Sequence, residues 1–191
     1  MEALWISTGV VALAEIGDKT QLLAFILAAR FKRPIPIVLG ILCATVVNHG
    51  LAGALGAWIT SVVNPEMMRW ALGLSFIGMA VWTLIPDKIE EEETQVAQRL
   101  GVFGATLVTF FLAEMGDKTQ LATVALAAHY AAPLMVVIGT TLGMLIADVP
   151  AVFVGNQFAS RIPMKLVHSI AAGIFAVMGG LTLLKVEKLF T

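Results

Sequence analysis

Charge is scarce in this chain. Of its 191 residues, 13% are Asp, Glu, Lys or Arg and 59% are hydrophobic, with a mean hydropathy of +0.91. A soluble domain is about a quarter charged, so this much apolar surface needs a solvent other than water and the chain reads as an integral membrane protein. Cysteine is nearly absent: Cys43 alone excludes an internal disulfide and leaves the redox compartment unread. The N-terminus lacks the basic region and small-residue cleavage site of a signal peptide, and its first apolar run is too long and too polar at its centre to be one. No nucleotide-binding motif is present, which argues against ATP-driven pumping by this chain alone. Nothing points to a nucleic-acid partner or a permanently bound cofactor.

What is there is apolar sequence in six segments, at about 3–31, 35–61, 68–86, 101–131, 134–157 and 166–186. Each approaches or exceeds the roughly 20 residues that cross a bilayer as helix. A charged stretch from Asp87 to Arg99, with glutamates at 90–93, divides them. The expected organisation is therefore a first three-helix repeat (1–86), an acidic linker (87–100) and a second three-helix repeat (101–191).

The halves are related. "AEIGDKTQL" begins at Ala14 and "AEMGDKTQL" at Ala113; a shift of 99 leaves 11 of 18 positions identical from Ala14 to Phe31. The register continues through Pro34 on Pro133, Gly40 on Gly139 and Gly56 on Gly155, and one extra residue carries it to Gly73 on Gly173. This is an internal duplication. Three spans per repeat is an odd number, so the second repeat enters the membrane from the opposite side. The expected fold is all-α and integral to the membrane: six transmembrane helices as two inverted three-helix repeats, an architecture of secondary transporters with sites near the midplane. Arg30, Lys32, Arg33, Lys88, Arg99, Arg161 and Lys165 fall on one side, and Arg69, Lys185 and Lys188 on the other. The positive-inside rule then places the linker in the cytoplasm and both termini outside.

Residues 4–31 and 101–130 would each run about 42–45 Å as straight helix, against a hydrocarbon core of about 30 Å, so they must tilt, kink or break. The repeated motif sits at their middle, where Gly17 and Gly116 permit a local break. Read as helix, Glu15 and Asp18, and likewise Glu114 and Asp117, share a face. Four carboxylates with Lys19 and Lys118, taken singly, would cost on the order of 15–20 kcal/mol at the bilayer centre, so partners, protons or a bound ion must neutralise them. Four negative and two positive charges sum to −2, which suits one divalent cation. The motifs hold oxygen donors and neither His nor Cys, a set that favours Mn²⁺, Ca²⁺ or Mg²⁺ over Zn²⁺ or Cu. Carboxylates in a low-dielectric site take up protons when the cation leaves, which makes proton exchange a natural coupling. The bland reading is a buried salt-bridge cluster that only fixes helix packing.

Two copies of E-x-G-D-K-[ST], each in the first span of a three-span repeat with an acidic loop between them, resemble the signature of one family of small cation transporters. It includes the bacterial manganese exporters (MneA-type) and the Golgi manganese/calcium transporters of eukaryotes, within the lysine-exporter superfamily. The resemblance covers essentially the whole chain. It implies export of a divalent cation, Mn²⁺ above all and also Ca²⁺, in exchange for H⁺, with Glu15, Asp18, Glu114 and Asp117 as ion ligands. It also implies a bacterial inner (cytoplasmic) membrane.

Around that core, Thr20, Gln21, Thr119 and Gln120 are supporting ligands, and Lys19 and Lys118 internal counter-ions. Asp148 falls on His49 under the same shift, and Asn48 is adjacent. These are candidates for a proton path or for completing the site; the alternative is local pairing with a lysine or carbonyl. Gly50, Gly53, Gly56, Gly139 and Gly143 leave room for close helix contact, and Trp5, Trp58, Trp70 and Trp82 read as interfacial anchors. One competing function is an exporter of an amino acid or other small organic cation, which would want an apolar lining where the motif offers oxygens. An intramembrane aspartyl protease is disfavoured: it needs a partner tyrosine-aspartate motif, and the only tyrosine is Tyr130. No enzyme is expected. Preference between Mn²⁺ and Ca²⁺, and oligomeric state, are not readable.

Overall fold

The structure, a computed structural model, describes residues 1–84, 100–154 and 164–184, and among them every regular element is α-helix. The acidic run at 90–93 and the basic positions 88, 99, 161, 185 and 188 lie outside the described residues. Eight helices are described: α1 (Glu2–Glu15), α2 (Lys19–Phe31), α3 (Pro34–Val62), α4 (Pro65–Thr83), α5 (Gly101–Glu114), α6 (Lys118–Tyr130), α7 (Pro133–Val154) and α8 (Met164–Leu184).

Local chemistry sets these bounds. Proline opens α3, α4 and α7, where its missing N–H is no loss. Asn64 caps α4, its side chain accepting from the Met67 N–H at 2.8 Å. The first segment of each half is broken at its motif, so the six apolar segments yield eight helices among the described residues. After Glu15, Ile16 turns extended and Gly17 takes φ 87°, and α2 restarts from Asp18. Met115 and Gly116 (φ 76°) repeat this before Asp117. That backbone corrects one expectation: Glu15 and Asp18 do not share a helix face. They stand on either side of a break that a positive-φ glycine permits, as do Glu114 and Asp117.

Helix pairing interleaves the halves. α1 packs on α7 and α5 on α3; α2 packs on α7 and α6 on α3. Exchanging the two halves maps each of these pairings onto another. α3 also meets α7, and α4 lies along α8. Several contacts depend on glycine: a Cβ at Gly139 would meet the Leu4 carbonyl, one at Gly143 the Thr8 carbonyl at 2.6 Å, and one at Gly56 the Val124 carbonyl. Gly50 departs from the expected set, with nothing within 4 Å of its virtual Cβ.

The outer surface is apolar. Val46, Val47, Leu51, Leu55 and Trp58 of α3 are exposed, as are Trp5, Trp70, Ile146 and Phe153. α3 and residues 133–153 of α7 are each long and apolar enough to cross a membrane. Buried polar groups are concentrated inside: Glu15, Thr20, Asn48, His49, Glu114, Thr119 and Asp148 are all at 0% exposure. An apolar exterior around a charged interior is the reverse of a water-soluble protein.

Candidate cation site

The two helix breaks meet at the interior. Glu15, Glu114 and Asp117 each present a carboxylate oxygen such that all three lie within 4.8 Å of one another, and all are buried. Glu15 feels the charges of Glu114, Asp18, Asp117 and Asp148, and Asp148 those of Glu114 and Asp18. All four motif carboxylates and Asp148 therefore belong to one electrostatic cluster, drawn from both halves.

The lysines cross over. Lys118 Nζ donates to Asp18 Oδ1 at 2.7 Å, with both side chains 1% exposed. The equivalent pair, Lys19 to Asp117, is looser at 3.6 Å, and Lys19 is 20% exposed. Each lysine thus neutralises the aspartate of the other repeat rather than its own neighbour. The aspartates are available for this because neither caps its following helix through its side chain.

The threonines and glutamines hold the breaks. Thr20 donates to Glu15 Oε2, and Thr119 to Glu114 Oε2 at 2.9 Å, so each hydroxyl fixes the glutamate on the far side of its break. Gln21 Oε1 accepts from the Gly17 N–H at 3.0 Å and Gln120 Oε1 from the Gly116 N–H at 2.8 Å. These amide oxygens satisfy backbone donors that the interrupted helix leaves orphaned. The amide nitrogens reach outward, Gln21 to the Ala147 carbonyl at 2.9 Å and Gln120 to Asn48 Oδ1 at 2.6 Å. Asn48 completes its bonding by donating to the Phe111 carbonyl at 3.0 Å. The Ala147 and Phe111 carbonyls had no sequence signal, because any residue type carries one.

Asp148 and His49 occupy the equivalent places on α7 and α3. Neither Asp148 oxygen and neither His49 ring nitrogen has a hydrogen-bond partner among the described residues. His49 Nε2 lies 3.9 Å from Glu114 Oε2. Of the sequence candidates, the structure brings Glu15, Asp18, Glu114, Asp117, Lys19, Lys118, Thr20, Thr119 and Asp148 to the cluster. Gln21, Gln120 and Asn48 stand behind it as supports.

Arrays of buried oxygens facing each other without enough positive charge are unstable unless a cation or protons join them. The donor set is that of a hard divalent cation. A family model described as "Divalent cation/proton antiporter GDT1" matches residues 3–91 and 102–189, nearly the whole chain. The chain belongs to the GDT1 family. That is an antiporter family, not an enzyme family, and antiport makes it a membrane transport protein. A Vibrio cholerae protein named "Putative manganese exporter" is 49% identical over 179 residues, spanning 93% of this chain and 88% of the relative. A GDT1-like protein of Synechocystis is 32% identical over 185 residues, spanning 86% and 88%. "GDT1-like protein 3" of Oryza sativa subsp. indica is 30% identical over 200 residues, spanning 91% and 71%. No solved structure matches.

Proposed function

We propose that this GDT1 protein exports Mn²⁺, with Ca²⁺ as a second cargo, in exchange for H⁺, through one site shared by the two repeats. The observation that carries this reading is the convergence of Glu15, Glu114 and Asp117 from both repeats to within 4.8 Å in a buried interior. Asp18 is the fourth ligand, with Asp148 beside it. Outward passage of the cation leaves a buried surplus of negative charge that entering protons balance, and their release on the inner side readies the site for the next cation. The manganese exporter of Vibrio cholerae, at 49% identity, supports Mn²⁺ as cargo. The lining of carboxylates and hydroxyls speaks against a bulky organic cation.

The protein is read as six crossings of a bacterial inner membrane, in two inverted repeats (1–86 and 101–191). The linker at 87–100 is cytoplasmic and both termini are outside. Purified protein in liposomes tests the function. An acidic lumen lets protons run outward and should therefore drive Mn²⁺ inward; dissipating the gradient should remove the acceleration. Glu15→Gln and Glu114→Gln should each abolish the gradient-driven flux. Flux indifferent to the proton gradient would make the protein a uniporter, and no flux of either ion would reject cation transport.

A further inference from the structure

We propose that His49 is a direct nitrogen ligand of the transported cation, and that this one donor biases the site towards first-row transition-metal dications over Ca²⁺ and Mg²⁺. The inference rests on the cation-transport reading above and names what that reading leaves open.

Three observations carry it. First, His49 is fully buried, and neither ring nitrogen has a hydrogen-bond partner among the described residues. A buried imidazole in that condition is expensive, because each nitrogen has given up water without replacement. Second, Nε2 stands beside one member of the three-carboxylate group: it lies 3.9 Å from Glu114 Oε2, beyond hydrogen-bond length. Nitrogen and oxygen donors to a first-row dication sit about 2.0–2.2 Å from it, so two ligands of one ion can be separated by up to about 4.2 Å. The observed gap suits two donors sharing an ion better than it suits a direct bond. Third, the motif residues are duplicated but this position is not: His49 on α3 stands where α7 carries Asp148. Asp148 adds an oxygen like the other ligands; His49 adds the one donor of a different kind.

Chemistry supplies the consequence. Ca²⁺ and Mg²⁺ are hard cations that take oxygen ligands. Imidazole binds first-row dications, with affinity rising from Mn²⁺ along the series. A site of carboxylates alone ranks Mn²⁺ and Ca²⁺ by cavity size and rigidity; one imidazole among them adds a chemical penalty for Ca²⁺. The same logic makes Co²⁺ and Fe²⁺ stronger competitors of Mn²⁺ than Ca²⁺ is.

Mn²⁺ bound to the purified full-length protein reports its own ligands by electron spin-echo envelope modulation. The wild-type protein should show ¹⁴N coupling from a coordinated imidazole, and His49→Gln, which offers an amide at similar reach, should bind Mn²⁺ without it. In liposomes His49→Gln should carry Mn²⁺ more slowly and Ca²⁺ relatively better, so that its preference for Mn²⁺ over Ca²⁺ falls by about tenfold, the scale on which altered metal surroundings act. Manganese bound and transported by the wild type without nitrogen coupling overturns the role of His49 and leaves the transport reading standing. Coupling that persists in His49→Gln likewise overturns it, assigning the nitrogen elsewhere. If the wild type neither binds nor carries Mn²⁺, the transport reading fails and this inference falls with it.

Discussion

At the scale of single residues, the two crossed ion pairs have the same chemistry and different surroundings. Lys118 and Asp18 are both sealed from solvent at 2.7 Å, whereas Lys19 is partly exposed and 3.6 Å from Asp117. Removing one member of a buried pair costs about 3–5 kcal/mol, because the other charge stays buried. The Lys19–Asp117 pair is longer and open to solvent on its lysine side, so water screens it and its loss costs less than that of the sealed pair. Lys118→Met should therefore lower the thermal unfolding temperature in detergent far more than Lys19→Met does; equal effects would show that exposure does not govern the two pairs. The identity of the charged residues was legible in the sequence, since polar residues inside apolar runs stand out. Their partners were not. Lys118 and Asp18 are 100 residues apart, and nothing local predicts which lysine meets which aspartate.

At the scale of elements, the first segment of each half is a broken helix held by its own glutamine. Segment length against bilayer thickness required some departure from a straight helix, and Gly17 and Gly116 marked the region. The choice of a break, with Glu15 ending one helix and Asp18 opening the next, depends on backbone hydrogen bonds that sequence spacing does not reveal. Helix-to-helix contact is equally selective. A methyl at Gly56 would strike the Val124 carbonyl and approach Ala127 Cβ to 2.9 Å, so α3 could not keep its distance from α6. Overpacking of this kind costs about 1–3 kcal/mol. Gly50, one helix face away, has open space. Thermal unfolding should separate Gly56→Ala, destabilised, from Gly50→Ala, unchanged or slightly stabilised by the better helix former. The glycine pattern alone grouped both positions together, because small residues look the same whether or not a neighbour presses on them.

At the scale of the whole molecule, the proposed topology makes a directional prediction. With Cys43→Ser as background, a cysteine introduced at Glu91 should react with a membrane-impermeant maleimide only from the cytoplasmic face, and one at Glu2 only from the other. Labelling of both from one side would refute an odd number of crossings per repeat. The sequence by itself determined that the chain is a duplicated, helical, membrane-bound protein with charged motifs at the centre of its first segments. Composition, periodicity and self-similarity are properties of the string, so they survive without coordinates. The tertiary structure alone decided that the repeats interleave, that each lysine serves the opposite aspartate, and that His49 faces Glu114. Those outcomes depend on which helix faces meet, a choice made by packing across about a hundred residues of intervening chain, and no local pattern encodes it.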